Sequence, residues 1–238
     1  MTSSYKTDSL RGVLLTAAAS IVLAACGGSS SETDAAKPAA PAQSAAANPY
    51  ITATDHKTGN VDAAVTVVEY ASIVCGHCAN WHSTVYPDFK KKYIDTGKVL
   101  YVFRPFPTSP QELADAGHLI AECAAEEKYF DNINLQFERQ KQIFEMAGKG
   151  QAREAYISVA KSAGLSEEEF LACMTDEETR AAYKAVVEGG LDAGVTGTPS
   201  FFINGNKEKV YKLEEIEQVI LPLLGEPLPE ATEPEAKE

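Results

Sequence analysis

The feature that most restricts this chain is the tetrapeptide Cys75-Gly76-His77-Cys78, because of where it falls. Before it, residues 65–72 are short in span and rich in β-branched side chains, the pattern of a buried strand. After it, Cys78, Trp81, Val85 and Phe89 recur at three- and four-residue spacing and so share one face of a helix. The cysteine pair therefore sits where a strand hands over to a helix. Unpaired N–H groups and the positive end of the helix dipole favour a thiolate on Cys75 at that point. Cys78 reaches back to it from the first turn, on the side of Trp81 and Val85. Cys75 is thus expected to be the exposed attacking sulfur and Cys78 the sheltered resolving one. His77, as a cation or a donor, would further stabilise the Cys75 thiolate. A stabilised thiolate favours the dithiol form, which makes the disulfide form a better oxidant.

The helix is expected to run to about residue 96, with a kink at Pro87 and a stop at Gly97. Residues 98–106 read as a second strand, and the order strand, helix, strand suggests a parallel pair. Ser109, Pro110 and Glu112 then announce a helix, with Ser as cap and Pro at the first helical position. Capping-box spacing recurs at Ser166 with Glu169 and at Thr175 with Glu178. Residues 110–194 are therefore expected to form a helical insertion in an α/β core. Strand character returns at residues 200–203, where Phe201 and Phe202 read as core packing. A turn at Asn204-Gly205-Asn206, a short strand around Val210 and Tyr211, and a helix over residues 213–224 complete the fold.

Charge and the N-terminal segment bear on partners and compartment. The 238 residues carry a formal charge of -13, and so acidic a surface repels phosphate backbones; nucleic-acid binding is disfavoured, and no nucleic-acid partner is expected. Lys6 and Arg11 precede an uncharged apolar run over residues 12–25, so residues 1–25 read as a signal peptide. As a helix the run rises roughly 21 Å, short of the roughly 30 Å hydrocarbon core of a bilayer. It ends in Leu23-Ala24-Ala25-Cys26, which resembles the lipobox of bacterial lipoproteins. That resemblance makes Cys26 the lipid site and the membrane a partner; cleavage near Ala25 with Cys26 left as a free thiol is the alternative. Residues 26–49 then form a disordered tether, residues 50–224 one folded domain, and residues 225–238 an acidic, Pro-rich solvated tail.

Export places the remaining cysteines where disulfides persist. A structural bridge between Cys123 and Cys173 would close a loop of about 50 residues and contribute at most about 4 kcal/mol. Two buried free thiols is the alternative. His56, His82 and His118 have no obvious ligand partners and read as ordinary polar residues. Cys75, Cys78 and His82 do have the spacing C-x2-C-x3-H, so a copper or zinc metallochaperone is a reading from a different class. Only three Met residues and no evident fourth ligand weigh against it, and no metal site is assigned.

The strand, the CxxC pair at a helix start, the helical insertion and the late Thr198-Pro199 together resemble the DsbA family of thioredoxin-fold thiol:disulfide oxidoreductases, over about residues 50–224. The resemblance implies an α/β thioredoxin fold with an inserted helical domain and no cofactor. It implies an acidic residue six positions before the first Cys, on the buried strand, that assists proton transfer at the inner thiol; Glu69 occupies that position. It also implies a cis-proline facing the disulfide, Pro199, preceded by a substrate-contacting residue, Thr198, with Gly76 on the same substrate-facing side. The chain departs from the best-known DsbA proteins in Gly76-His77, which resembles eukaryotic protein disulfide isomerase instead. A potential near the isomerase value of about -180 mV, against about -270 mV for thioredoxin, favours giving the disulfide away by about 4 kcal/mol. The expected activity is that of an oxidase: reduced exported proteins attack Cys75, pass through a mixed disulfide and free Cys78. A membrane-bound DsbB-like reoxidase would regenerate the pair on the extracytoplasmic side of a bacterial envelope. A disulfide isomerase or reductase of the same fold is the alternative, although isomerases usually span a dimer through an added N-terminal domain, where this chain has only a tether.

Overall fold

In the computed structural model the described residues are 51, 52 and 54–229; the signal peptide, Cys26, the whole tether and residues 230–238 of the tail lie outside them. Five strands form one sheet in the order β1-β3-β2-β4-β5: β1 Lys57–Gly59, β2 Val65–Ala71, β3 Val99–Pro105, β4 Ser200–Ile203 and β5 Asn206–Glu208. The β2 and β3 strands pair in parallel, and every other pairing is antiparallel. All residues of β2 and β3 are buried, as befits central strands covered on both faces.

Alternation along β2 divides the interior in two. Val65, Val67 and Ala71 face a large core shared with Cys78, Trp81 and Phe89, while Val68 and Tyr70 face a smaller one with Val102, Val195 and Phe202. Glu69 has the parity of Val67 and Ala71, so its carboxylate points into the larger core beneath the helix that carries the cysteines. In register it lies between Phe103 of β3 and Phe201 of β4. Phe201 and Phe202 are both buried, one on each side of the sheet.

The helix after β2 is α1, Gly76–Thr84, and it breaks at Val85 into α2, Tyr86–Phe89, and a π-helical turn, Lys90–Ile94. Pro87 has no N–H to continue the α1 ladder, so the expected kink becomes a break, and Gly97 at φ +75° closes the segment. The helical insertion consists of α3 Gln111–Cys123, α4 Tyr129–Glu138, α5 Gln140–Gly148, α6 Ala152–Ser162, α7 Glu167–Thr175 and α8 Glu177–Asp192. The C-terminal helix, α9 Leu213–Leu224, returns to the sheet.

Four local expectations need correction. The α3 helix begins after Pro110, whose extended backbone (ψ 116°) makes it the cap itself, so Ser109 does not cap. Ser166 and Glu169 form the full capping box on α7, but the next helix is capped by Asp176, whose carboxylate accepts from the Thr179 N–H at 2.7 Å. Thr175 instead ends α7 by donating to the Leu171 and Ala172 carbonyls. The last strand lies at Asn206–Glu208 rather than around Val210, because Asn204 and Gly205 both take positive φ and make a two-residue hairpin turn. Glu226, read as solvated tail, pairs with Lys98 at 2.7 Å.

Candidate active site

The carbonyl end of β2 delivers the chain to Cys75 through a tight connection in which the Cys75 N–H donates to the Ser72 carbonyl at 2.9 Å. Cys75 is then the N-cap of α1, and its sulfur accepts from the Cys78 N–H at 3.5 Å. A thiol rarely serves as a cap; here it places the sulfur against the free N–H groups of a helix start. Gly76 and His77 are exposed, Cys75 is partly exposed and Cys78 is fully buried. The two cysteines are present as free thiols.

Their acidities are driven apart. The Cys75 thiol is lowered to about 5, chiefly because the Cys78 side chain hydrogen-bonds to its sulfur, with further help from Thr198 and the backbone N–H groups of Cys78 and His77, against partial burial. The group of His77 that serves the sulfur is thus its N–H. A protonated Cys75 donates to the Thr198 carbonyl at 3.4 Å. On ionisation that bond is lost, and the Thr198 hydroxyl, otherwise without a partner among the described residues, can donate to the sulfur instead. Cys78 is pushed far above the ordinary thiol range by burial first, then by its bond to Cys75 and by the charge of Glu69. At neutral pH the pair is one thiolate and one thiol.

The loop entering β4 brings Thr198 and Pro199 beside Cys75 across a sequence distance of more than 120 residues, and the Thr198–Pro199 peptide is cis. From the helical insertion, Gln140 donates its amide to the carbonyls of Ile73, at 2.7 Å, and Cys75, at 3.1 Å. From the connection after β5, the Tyr211 hydroxyl donates to the His77 carbonyl and accepts from Asn80, each at 2.9 Å. Sequence reasoning missed both residues, since neither Gln nor Tyr in a helical or loop context announces a long-range contact.

Beneath α1, Glu69 is completely buried. Its Oε2 accepts from the Tyr101 hydroxyl and from His82 Nε2, the latter at 3.1 Å, while Oε1 has no partner among the described residues. His82 is also buried, and its Nδ1 lies 3.3 Å from Asn134 Oδ1. Both of its ring nitrogens are engaged away from the cysteines. Among the described residues no group of three or more His, Cys, Asp and Glu is arranged to hold a metal. The other two histidines stand apart from the sulfurs: His56 pairs with Glu122 and stacks on Tyr129, and His118, lowered to about 3 by burial, accepts from the Ile73 N–H. Cys123 and Cys173 are joined by a disulfide between α3 and α7.

Comparison with known proteins agrees with this architecture. The family model described as thioredoxin matches residues 52–220. A Rickettsia bellii protein, provisionally described as a protein-disulfide oxidoreductase, is 34% identical over 167 residues, covering 70% of this chain and 63% of that protein. A Rickettsia typhi protein with the same description is 36% identical over 172 residues, covering 70% and 60%. The chain thus spans less than two thirds of these relatives' length. The crystal structure of Wolbachia pipientis alpha-DsbA1 superposes with a TM-score of 0.66 at 27% identity, covering 74% of this chain and 93% of that one. Oxidised BdbD from Bacillus subtilis has the same fold, with a TM-score of 0.63 at 20% identity, covering 72% and 93%. With a thiol pair at the head of α1 and a six-helix insertion closing over the sheet, the chain belongs to the thioredoxin family, in its DsbA-like form.

Proposed function

We propose that the chain is a thiol:disulfide oxidoreductase that works as an oxidase on reduced exported proteins. The observation that carries this reading is the placement of two neighbouring sulfurs, Cys75 partly exposed against the N–H groups at the head of α1 and Cys78 fully buried, which drives the first towards thiolate and the second towards thiol. Stabilising the dithiol form in this way raises the oxidising power of the disulfide. A substrate thiolate attacks Cys75 Sγ, the Cys75–Cys78 bond breaks, and its electron pair leaves on Cys78, which takes a proton. A second substrate thiolate then attacks the substrate sulfur of the mixed disulfide, forming the new bond and releasing Cys75 as its stabilised thiolate.

Thr198, Pro199 and the exposed Gly76 would receive the substrate chain at Cys75, with the N–H of His77 serving the sulfur. Glu69 would exchange the proton of Cys78. The Cys123–Cys173 bridge is structural in this reading. A membrane-bound DsbB-like reoxidase would withdraw electrons from the dithiol, and lipid on Cys26 would hold the chain to the extracytoplasmic face of a bacterial membrane through residues 26–49. Among the described residues no helix is long and apolar enough to cross a membrane.

The test is the reduction potential of the Cys75–Cys78 couple against glutathione. An oxidase requires a value near about -180 mV or higher, and one below about -250 mV would indicate a reductase. In a bacterium lacking other oxidases, the wild-type chain should restore disulfides in exported proteins and Cys75→Ser should not; full restoration by the variant would overturn the assignment.

A further inference from the structure

Cys78 must gain a proton each time the pair is reduced and lose it each time the pair is oxidised, yet it is completely buried. Glu69 is equally buried, on the face of β2 that α1 covers. Cys78 and His82 are one helical turn apart on α1 and so project from the same side of it. His82 touches Glu69, which therefore lies under the stretch of α1 that also carries Cys78. Two donors, the Tyr101 hydroxyl and His82 Nε2, converge on Glu69 Oε2, and among the described residues Oε1 is left as its one unengaged oxygen.

We propose that His82 is a positioning residue for the resolving thiol, donating Nε2–H to Glu69 Oε2 so that Oε1 is held free to exchange a proton with Cys78 Sγ. The inference rests on the oxidoreductase reading above. When the disulfide opens, Glu69 Oε1–H passes its proton to the departing Cys78 thiolate, giving the thiol and a buried carboxylate. The hydrogen bonds from His82 and Tyr101 hold that carboxylate charge where water does not reach it. When the dithiol is reoxidised, the Cys78 proton returns to Oε1 and its electron pair forms the new S–S bond. The ring cannot serve this role unless its orientation is fixed. Asn134 meets Nδ1 on its far side, and Phe137 stacks on it with centroids 4.2 Å apart. Both belong to α4, so the insertion aims the histidine. Among the described residues the further titratable side chain against the ring is Tyr86, whose ring centre lies 4.9 Å away.

Gln carries an N–H at about the reach of Nε2 and keeps the donor, whereas Leu removes it. The rate at which glutathione opens the Cys75–Cys78 disulfide, read by stopped-flow fluorescence of Trp81, should fall about tenfold or more in His82→Leu and stay within about threefold of wild type in His82→Gln. The solvent deuterium isotope effect should increase in His82→Leu, and the titration of Cys75 read by thiolate absorbance should be the same in all three proteins. Wild-type kinetics in His82→Leu, or equal impairment in both variants, would overturn the assignment. Should His82→Leu fail to fold, the His82 Nε2–H resonance of the wild-type protein decides: it should shift between the disulfide and dithiol forms as Glu69 changes charge, and an unchanged resonance would overturn it. A wild-type chain that does not exchange with glutathione at all would instead remove the oxidoreductase reading itself.

Discussion

The side-chain amide of Gln140 lies 3.1 Å from the carbonyl oxygen of Cys75, so the helical insertion grips the backbone of the reactive cysteine directly. The same nitrogen also serves Ile73, two residues upstream. Replacing Gln140 with Leu leaves two partly buried carbonyls without that donor and should cost about 1–3 kcal/mol. The loosened turn should let Cys75 Sγ drift from the α1 N–H groups, so its titration midpoint should rise from about 5 towards the ordinary thiol value. Absorbance titration of the dithiol form together with a denaturant midpoint checks both halves; a Cys75 midpoint that stays at its wild-type value would show that Gln140 is not needed to orient the sulfur.

The lowered Cys75 acidity gives the reduced form a pH dependence of defined sign. Between about pH 5 and pH 9 the unfolded thiol is protonated while the folded one is ionised, so the unfolded state binds the extra proton and stability rises with pH. That contribution is fully present only above the unfolded value and is lost as pH falls through about 5. Cys78 stays protonated in both states below about pH 9 and does not alter the slope there. The unfolding temperature of the dithiol form should therefore climb relative to the disulfide form between pH 5 and pH 8. Parallel melts of the two forms would test it, and a difference that is flat or falls with pH would contradict the thiolate.

Gly117 is fixed by space. A methyl group there would overlap the end of the Ile73 side chain and Gln136 Oε1, and Gln136 cannot retreat because it also donates to the Gly117 carbonyl at 2.9 Å. Gly117→Ala should destabilise the domain by about 1–3 kcal/mol. Because Ile73 leads into the cysteine loop, glutathione exchange should slow as well. Equilibrium unfolding at the wild-type transition midpoint would show the packing account to be wrong.

The Cys123–Cys173 bridge joins positions 50 apart in sequence. Replacing both cysteines with Ser should lower stability by up to about 4 kcal/mol, less where the unfolded chain keeps residual structure. The Cys75 titration should not move, since the bridge ties α3 to α7 and, among the described residues, neither of its sulfurs bonds to the reactive loop. Unfolding of the double variant, compared with the same absorbance titration, separates a structural bridge from a redox-linked one.

The parts of this molecule that were legible in the sequence are those written in local periodicity. The Val-rich β2 and the Trp81–Phe89 spacing announce a strand and a helix, and the cysteine tetrapeptide between them fixes where the chemistry lies. The insertion declares itself through caps and helical signals because helices are local objects. The edge strand Lys57–Gly59 gives no such signal: it is three polar residues, held as a strand only because β3 offers it a ladder. Capping frames slip by one residue where a neighbouring side chain is turned the other way: the Thr175 hydroxyl is spent on carbonyls of α7, which leaves the cap of α8 to Asp176. His82 reads in the sequence only as an ordinary polar residue or a third metal ligand. Its four-residue offset from Cys78 was visible, but its partner is 13 residues earlier on a different element, and only the folded strand reveals which carboxylate it meets.

Asp55 and Arg104 form a buried two-point ion pair at 2.6 and 2.9 Å, with the Tyr70 hydroxyl accepting from the same guanidinium at 2.7 Å. One guanidinium thus fastens the segment ahead of β1 to both central strands, through Arg104 on β3 and Tyr70 on β2.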